Sequence, residues 1–472
     1  MVEQWRLRAG FAERLSRMYG REVPAYTTLV DVSREVNEDV LRKRGADAER
    51  LGSIGRVTAE RHGAIRVGTP RELRQVGRVF GALGMHPVGF YDLRDTTTGA
   101  LPIVSTAFRP VDEDELAHNP FRVFTSMLTV SDARFFDDGL SARLDTFLAG
   151  RELFPPELLA LADRAEAERE LSGADTERFL ELAVRSFELS AEPIDEDWYA
   201  PLERVSAVAA DIGGVRSTHI NHLTPRVLDI DELYRRMTER GIEMIDTIQG
   251  PPHWAGPDVL LRQTSFRALA EPRALRAADG SVRRGALRVR FGEVEARGIA
   301  LTREGRVLYD RLLGLVDERA VSRPRAERAA VARTVWAEHL PATEHDLAAR
   351  DLGFFTYHAV PDRPADGRRP PTDLGGLLAG GWLRAEPIVY EDFLPRSAAG
   401  IFHSNLDATG SGESAGHGDR ESAAYDADRL SGAMGRDVLD PFALYERQRD
   451  RSLAVLPRAL RPTRAPRPQG AS

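Results

Sequence analysis

Residues 62–73, HGAIRVGTPREL, and residues 222–233, HLTPRVLDIDEL, decide the fold when they are laid one over the other. Each opens on a histidine. An arginine follows four places on (Arg66, Arg226), a helix-capping residue seven places on (Thr69, Asp229), a glutamate ten places on (Glu72, Glu232) and a leucine eleven places on (Leu73, Leu233). Thr69 and Glu72 make a capping box, in which two side chains satisfy backbone donors that a helix start leaves orphaned, and Asp229 with Glu232 imitates it. Pro70 sits at the first helical position, where a missing donor costs nothing. Leu73, Val76, Phe80 and Leu83 then form an apolar stripe that Gly84 ends; the second copy runs through Leu233 and Met237 to Gly241. Each histidine therefore lies on a short strand entering a helix, with MHPVGFYDL (85–93) and IEMIDTI (242–248) as the strands that follow. Two such copies imply a duplicated module with one shared site.

Alternation along a strand says which side chains meet. His62, Ala64 and Arg66 share a face, so a permanent cation stands on the same surface as a candidate ligand, where it can take an anionic substrate. His219 and His222 are three apart and face opposite ways, so this HxxH is no two-ligand motif; His222 is the ligand and His219 a packing or supporting residue. In RVRFGEVEARG (288–298), Val289, Phe291, Glu293 and Glu295 share one face while Arg288, Arg290 and Gly292 occupy the other. By geometry alone either glutamate completes the set. Two imidazoles and one carboxylate hold a divalent iron by three adjacent corners and leave the rest for substrate and dioxygen.

Further fragments carry a resemblance: MYGREVPAYTTLVDVSREVN (18–37), HGAIR (62–66), HINHLTPRVLDID (219–231), RQTSFRAL (262–269), FGEVEARGIALT (291–302) with GRVLYD (305–310), and YEDFLPRSAAGIFHSNL (390–406). In this order they resemble the bacterial 2-oxoadipate dioxygenase/decarboxylase family, which is similar to the vicinal oxygen chelate fold and, more distantly, to 4-hydroxyphenylpyruvate dioxygenase. In the latter the last metal ligand is a glutamate four residues before an arginine. That pattern selects Glu293, with Arg297 after it, over Glu295. The resemblance implies iron(II) held by His62, His222 and Glu293, a substrate carboxylate gripped by Arg66, and a loop at Arg396 and Ser397 that closes over the substrate. The chain departs from the family at Arg396 and His403, where the family carries a smaller aliphatic residue and a glutamine; an inward Arg396 would add a second cation. The reaction implied converts 2-oxoadipate and O2 to 2-hydroxyglutarate and CO2, as in lysine catabolism, with no other co-substrate. Isomerases, extradiol dioxygenases and epoxide-opening enzymes use related modules, so another reaction on this scaffold, or a binding protein that has lost the chemistry, are the alternatives. Elsewhere, His339 and His345 have no zinc-site spacing. His358 and His403 lie near the family-like segments and are expected to line the site. His417 is expected to be exposed.

Composition is consistent with such an enzyme. A net charge of −8 gives no support to nucleic-acid binding, and only Lys43 among 65 basic residues is a lysine. Without cysteine there are no disulfides, thiolate ligands or thiol catalysis. The start, MVEQWRLRAGFAERL, is charged throughout and no run approaches the ~18 apolar residues of a membrane span, so a cytoplasmic location is expected.

The expected fold class is α+β, with duplicated vicinal oxygen chelate-like βαβββ modules forming a central curved sheet. The expected divisions are a helical segment over 1–50, a first module over 51–131, a helical insertion over 132–204, a second module over 205–315, a segment over 316–456 that completes the site, and a disordered tail over 457–472. Phe11, Leu15 and Met18, then Leu29, Val32, Val36 and Val40, mark the N-terminal helices. LPIVSTAFRP (101–110) and RVFTSMLTV (122–130) are later strands of the first module, and the latter lacks a carboxylate matching Glu293, which implies one metal rather than two. FPPELLALADRAEAERE (154–170), TERFLELAVRSF (176–187) capped by Asp175, and RAERAAVARTVWAEHL (325–340) read as helices. Residues 407–420 are glycine-rich and expected to form a mobile loop.

Overall fold

The computed structural model describes residues 1–95, 100–288, 290–321, 323–361, 369–394 and 425–462. The chain opens with two helices, Gln4–Glu22 and Pro24–Arg44. They are separate because Pro24 lacks an N–H and forces Val23 out of helical geometry. The predicted stripes are buried: Phe11, Leu15 and Met18 on one helix, and Leu29, Val32, Val36 and Val40 on the other.

The fold is α+β. In chain order the strands are β1 (Val2–Glu3), β2 (Arg61–Val67), β3 (His86–Asp92), β4 (Ile103–Arg109), β5 (Arg122–Leu128), β6 (Glu170–Leu171), β7 (Ile194–Asp195) and β8 (His222–Pro225). They continue with β9 (Leu261–Phe266), β10 (Glu271–Arg276), β11 (Val282–Leu287), β12 (Gly292–Arg297), β13 (Phe355–Ala359) and β14 (Leu383–Pro387). The central sheet has the order β3-β4-β5-β2-β8. β2 runs parallel to β5, with His62 opposite Arg122, and antiparallel to β8, with His62 opposite Thr224 and Ala64 opposite His222. β12 and β9 form a separate antiparallel pair, with Glu293 opposite Ser265 and Glu295 opposite Gln263. This pair meets the central sheet through one parallel bridge, in which Val227 N donates to Glu295 O at 2.8 Å.

Both capped helices form as the repeat dictates. Thr69 accepts from Glu72 N at the start of helix Pro70–Ala82, and Asp229 accepts from Glu232 N at the start of helix Ile230–Glu239. The copies differ around the glutamate. Glu72 is buried, takes the Gly68 N–H at 2.7 Å and pairs with Arg151, whereas Glu232 binds Arg235 and Arg236 at the surface.

Parity along β2 and β5 sorts two cores. Ile65, Val67, Val123 and Met127 pack with the N-terminal helices and with helices Pro70–Ala82, Pro156–Glu168 and Gly173–Arg185. Ala64, Phe124 and Leu128 face a second cluster with Trp198, Leu202, Phe291 and Phe393, and His62 and Arg66 share that face. Each fully buried large apolar side chain contributes about 1.5–3 kcal/mol. A one-residue slip of β2 would exchange the two sets, so the register of His62 is held by the cores on both sides. A third cluster gathers β13, β14 and helices Arg303–Arg319 and Arg325–His339 around Trp336.

Several expectations are corrected. The helix containing TERFLELAVRSF starts at Gly173, and its cap is Ser172, which accepts from Asp175 N; Asp175 is its partner three residues on, not the cap. Residues 242–248 form no continuous strand. Met244 bridges Phe266 and, just past the segment, Gln249 bridges Gln263, so the chain advances five residues where β9 advances three, and the surplus breaks the ladder. A short helix, Glu113–His118, stands between β4 and β5, and the β10–β11 hairpin is interposed between β9 and β12. At the C-terminal end a 3-10 turn at Arg458–Leu460 buries Leu460. Residues 407–420 and 463–472 lie outside the described residues, as does Val289. No helix among the described residues is long and apolar enough to cross a membrane.

Candidate metal centre

His62 comes from β2, His222 from the first position of β8 and Glu293 from β12, so three strands each bring one donor to the same point. All three are buried, and one ligand atom from each lies within 4.8 Å of the others. His62 Nε2 is 3.4 Å from Glu293 Oε2, and His222 Nδ1 is 3.3 Å from Glu293 Oε1. The two rings stand edge to face with centroids 5.3 Å apart. Adjacent corners of an octahedron with metal–ligand bonds near 2.1 Å are about 3 Å apart, so small side-chain adjustments suffice to accommodate a cation. Among the described residues, neither ring nitrogen of His222 has a hydrogen-bond partner although both are buried. Buried polar atoms are nearly always paired, and a coordinated ion would account for this orphan. The donor set fits a divalent metal.

Position alone left Glu293 and Glu295 equivalent; their surroundings separate them. Both are fully buried, which by itself drives a carboxyl toward its neutral form. At Glu295 that burial is outweighed by Arg297, His62 and Arg122, which hold its pKa far below the usual range. Arg297 donates to its two oxygens at 2.7 and 2.9 Å, and Arg122 lies 3.2 Å away. Among the described residues, Glu293 has ion-pair contacts only with the two imidazoles, and burial raises its pKa. An anion without a guanidinium partner is available to a metal; one saturated by arginines is not. Glu295 instead lies 2.9 Å from the other nitrogen of His62, Nδ1, off the ideal N–H line, so the contact is chiefly electrostatic.

Charge also divides the histidines. Burial lowers the pKa of His62, but Glu295 and Glu293 more than restore it, so the net shift is upward. His222 is pushed well down by burial, then by the neighbouring His62 and Arg66. The neutral imidazole that a metal requires is therefore the natural state of His222.

Arg66 lies on the His62 face of β2, as alternation predicts, and is buried. Its guanidinium meets Asp211, from helix Ala207–Gly213, a partner that sequence reasoning missed. Asn221 Nδ2 donates to the same carboxylate at 2.9 Å, and His219 Nε2 lies 3.3 Å from its other oxygen. His219 thus belongs to the group around Arg66, and burial lowers its pKa to about 4.

Below His62 lies a web of charges. Glu60 accepts from Arg122 at 2.8 Å and from Arg226 at 3.0 Å and is 3.3 Å from Arg297. Glu391 pairs with Arg56 and Arg122, and Arg109 grips Asp392 at 2.8 and 3.2 Å. Arg297 also donates to the carbonyls of Tyr390 and Asp392 at 2.7 and 3.0 Å, tying down the segment that carries Phe393. The Phe393 ring stands perpendicular to that of His62 with centroids 5.0 Å apart, and Phe291 packs against His222 at 5.4 Å. Each imidazole thus has one aromatic ring packed against it. Glu391 and Asp392 lie within the fragment 390–406, but nothing local in the sequence names their arginine partners.

His358 does not line the site: it is exposed on β13, 3.3 Å from Glu386. Arg396, Ser397 and His403 lie outside the described residues.

A buried two-histidine, one-carboxylate set packed against aromatic rings in an α+β protein is the donor arrangement of non-haem metal-dependent oxygenases. The sequence matches the 2-oxoadipate dioxygenase/decarboxylase family over residues 11–405, and the chain belongs to that family. A 2-oxoadipate dioxygenase/decarboxylase of Mycobacterium tuberculosis is 55% identical over 94% of this chain and 97% of its own length; that of Escherichia coli is 38% identical over 94% and 96%. The crystal structure of the hydroxyglutarate synthase from Pseudomonas putida in complex with 2-oxoadipate superposes with a TM-score of 0.82 at 37% identity, covering 98% of this chain and 99% of that one.

Proposed function

We propose that this chain is an iron(II)-dependent enzyme that converts 2-oxoadipate and O2 to 2-hydroxyglutarate and CO2. The observation that carries the proposal is the convergence of buried His62, His222 and Glu293 on one point in a member of this family. A ferrous ion held there by His62, His222 and Glu293 would supply Lewis acidity toward the 2-oxo acid and the redox chemistry that dioxygen requires. The chain supplies everything else. His62 and His222 offer nitrogen lone pairs, Glu293 offers charge, and Phe393 and Phe291 pack against the two imidazoles. Arg66 presents a guanidinium that can meet a substrate carboxylate bidentately, with Asp211 fixing its direction. Arg396 and Ser397 complete the substrate contacts in this reading, and the protein works in the cytoplasm on a freely diffusing 2-oxo acid.

The strand order supports a duplicated βαβββ origin. β2 is followed by a helix and then β3, β4 and β5, in the spatial order β3-β4-β5-β2. β8 is followed by a helix, the segment bridged to β9, then β9 and β12, with β12 bridged back beside β8. Each copy thus returns its last strand to its first, and the copies meet at β2 and β8. In this reading the modules span 51–131 and 205–315, with 1–50 and 132–204 as helical additions, 316–456 completing the site and 457–472 as a tail.

The test is anaerobic reconstitution with iron(II), then addition of 2-oxoadipate and oxygen, with products read by mass spectrometry. One O2 consumed per CO2 released, with 2-hydroxyglutarate formed, is the expected result. Iron binding without decarboxylation would point instead to another reaction on the same scaffold.

A further inference from the structure

We propose that Glu295 is a positioning residue for the metal site: its carboxylate holds the imidazole of His62 so that Nε2 faces the metal position, and arginines anchor that carboxylate to the protein interior. The inference rests on the reading of His62, His222 and Glu293 as the ligands, and goes beyond it by giving the second glutamate of β12 a task.

Two residues apart on one strand, Glu293 and Glu295 address the two nitrogens of one ring. Glu293 Oε2 lies 3.4 Å from Nε2 and Glu295 Oε2 lies 2.9 Å from Nδ1. A neutral imidazole carries one proton, and an anion beside Nδ1 draws it there, leaving the Nε2 lone pair for a cation. The same anion raises the electron density that the ring offers to a metal. Glu295 is suited to this because it cannot easily turn away. It is entirely buried, Arg297 donates to both of its oxygens, Arg122 stands 3.2 Å off, and its backbone carbonyl accepts from Val227 N on the other side of the β8–β12 junction. Arg122 lies directly opposite His62 in the β2–β5 register, so strand pairing sets the ring and one of its anchors together. His222, by contrast, makes its only ion-pair contact among the described residues with Glu293, 3.3 Å from Nδ1, and has no second carboxylate beside it. The ligand pair is therefore asymmetric: one ring is preset by an anion, and the other is left free to adjust.

Cobalt(II) titration of the metal-free full-length protein, followed by its visible absorption, tests this without turnover. Glu295→Gln is expected to weaken cobalt binding about 10- to 100-fold, the range found when such supporting carboxylates are lost. Arg226→Gln, which breaks a different contact of the same web at Glu60, is expected to lower stability while leaving cobalt affinity unchanged. If Glu295→Gln does not fold, Glu295→Asp keeps a charge for Arg122 and Arg297 but withdraws it from the ring, and the same weakening is expected. Unchanged cobalt affinity in the folded Glu295 variant, or equal losses in the Arg226 and Glu295 variants, overturns the positioning role. His62→Ala and Glu293→Gln run alongside. If these two bind cobalt as the native chain does, the ligand set itself is wrong; if they lose binding while Glu295→Gln keeps it, only the present inference fails.

Discussion

At the scale of single residues, Arg66 and His219 make separable predictions. Arg66 is no ligand and sits in the Asp211 group, so Arg66→Ala is expected to keep iron content while raising the KM for 2-oxoadipate by one to two orders of magnitude, roughly the 1.5–3 kcal/mol of a charge-assisted contact. Iron analysis beside steady-state kinetics checks it, and loss of both together would mean that the arginine supports the fold instead. His219 predicts a pH dependence of stability. Its folded pKa is about 4 because burial, with Arg290, Arg273 and Arg66 nearby, outweighs Asp211, whereas an unfolded histidine titrates near 6.5. On acidification the unfolded chain takes the proton first. The stability held by the neutral ring is thus complete above pH 6.5 and drains away as the pH falls toward 4. Urea midpoints for the native chain and His219→Asn across that window should converge at the acidic end; parallel curves would remove His219 as a contributor. Most of the site was legible at this scale, because His62, His222 and the glutamate pair sit in motifs whose alternation fixes their faces. Asp211, Glu60 and Glu391 were not, because an ion pair between residues 145 or 269 positions apart leaves no local pattern.

At the scale of elements, the capping boxes carried the reading. Thr69 accepts from Glu72 N at the start of the helix that follows the His62 strand. Thr69→Ala should therefore cost about 1 kcal/mol of stability, with kinetics little changed, as read from denaturant midpoints. A larger loss, accompanied by loss of metal, would show that the cap also sets the strand. Helices were legible where a stripe ran between a cap and a glycine. Residues 242–248 were misread as a strand because alternation reports which face is apolar and says nothing about whether a partner strand keeps step. The Asp175 assignment failed for a related reason: Ser172 and Asp175 are both good caps, and the earlier of the two lets Gly173 and Ala174 join the helix.

At the scale of the whole molecule, the N-terminal helices pack against the outer face of the site-bearing sheet. Leu29 is fully buried in that core, so Leu29→Ala should destabilise the protein by about 2–5 kcal/mol through the lost methyl groups and the cavity left behind. Chemical denaturation measures this, and a cost below about 1 kcal/mol would mean that the helices are held loosely. Sequence periodicity identified these helices but not their dock, since an apolar stripe does not name its partner. The web of arginines and carboxylates under His62 has a thermal consequence. Hydration of charged groups becomes less favourable on warming, so the penalty for keeping these ions away from water shrinks with temperature. The floor beneath the candidate metal centre should accordingly grip best in heat and be most readily infiltrated by solvent in the cold.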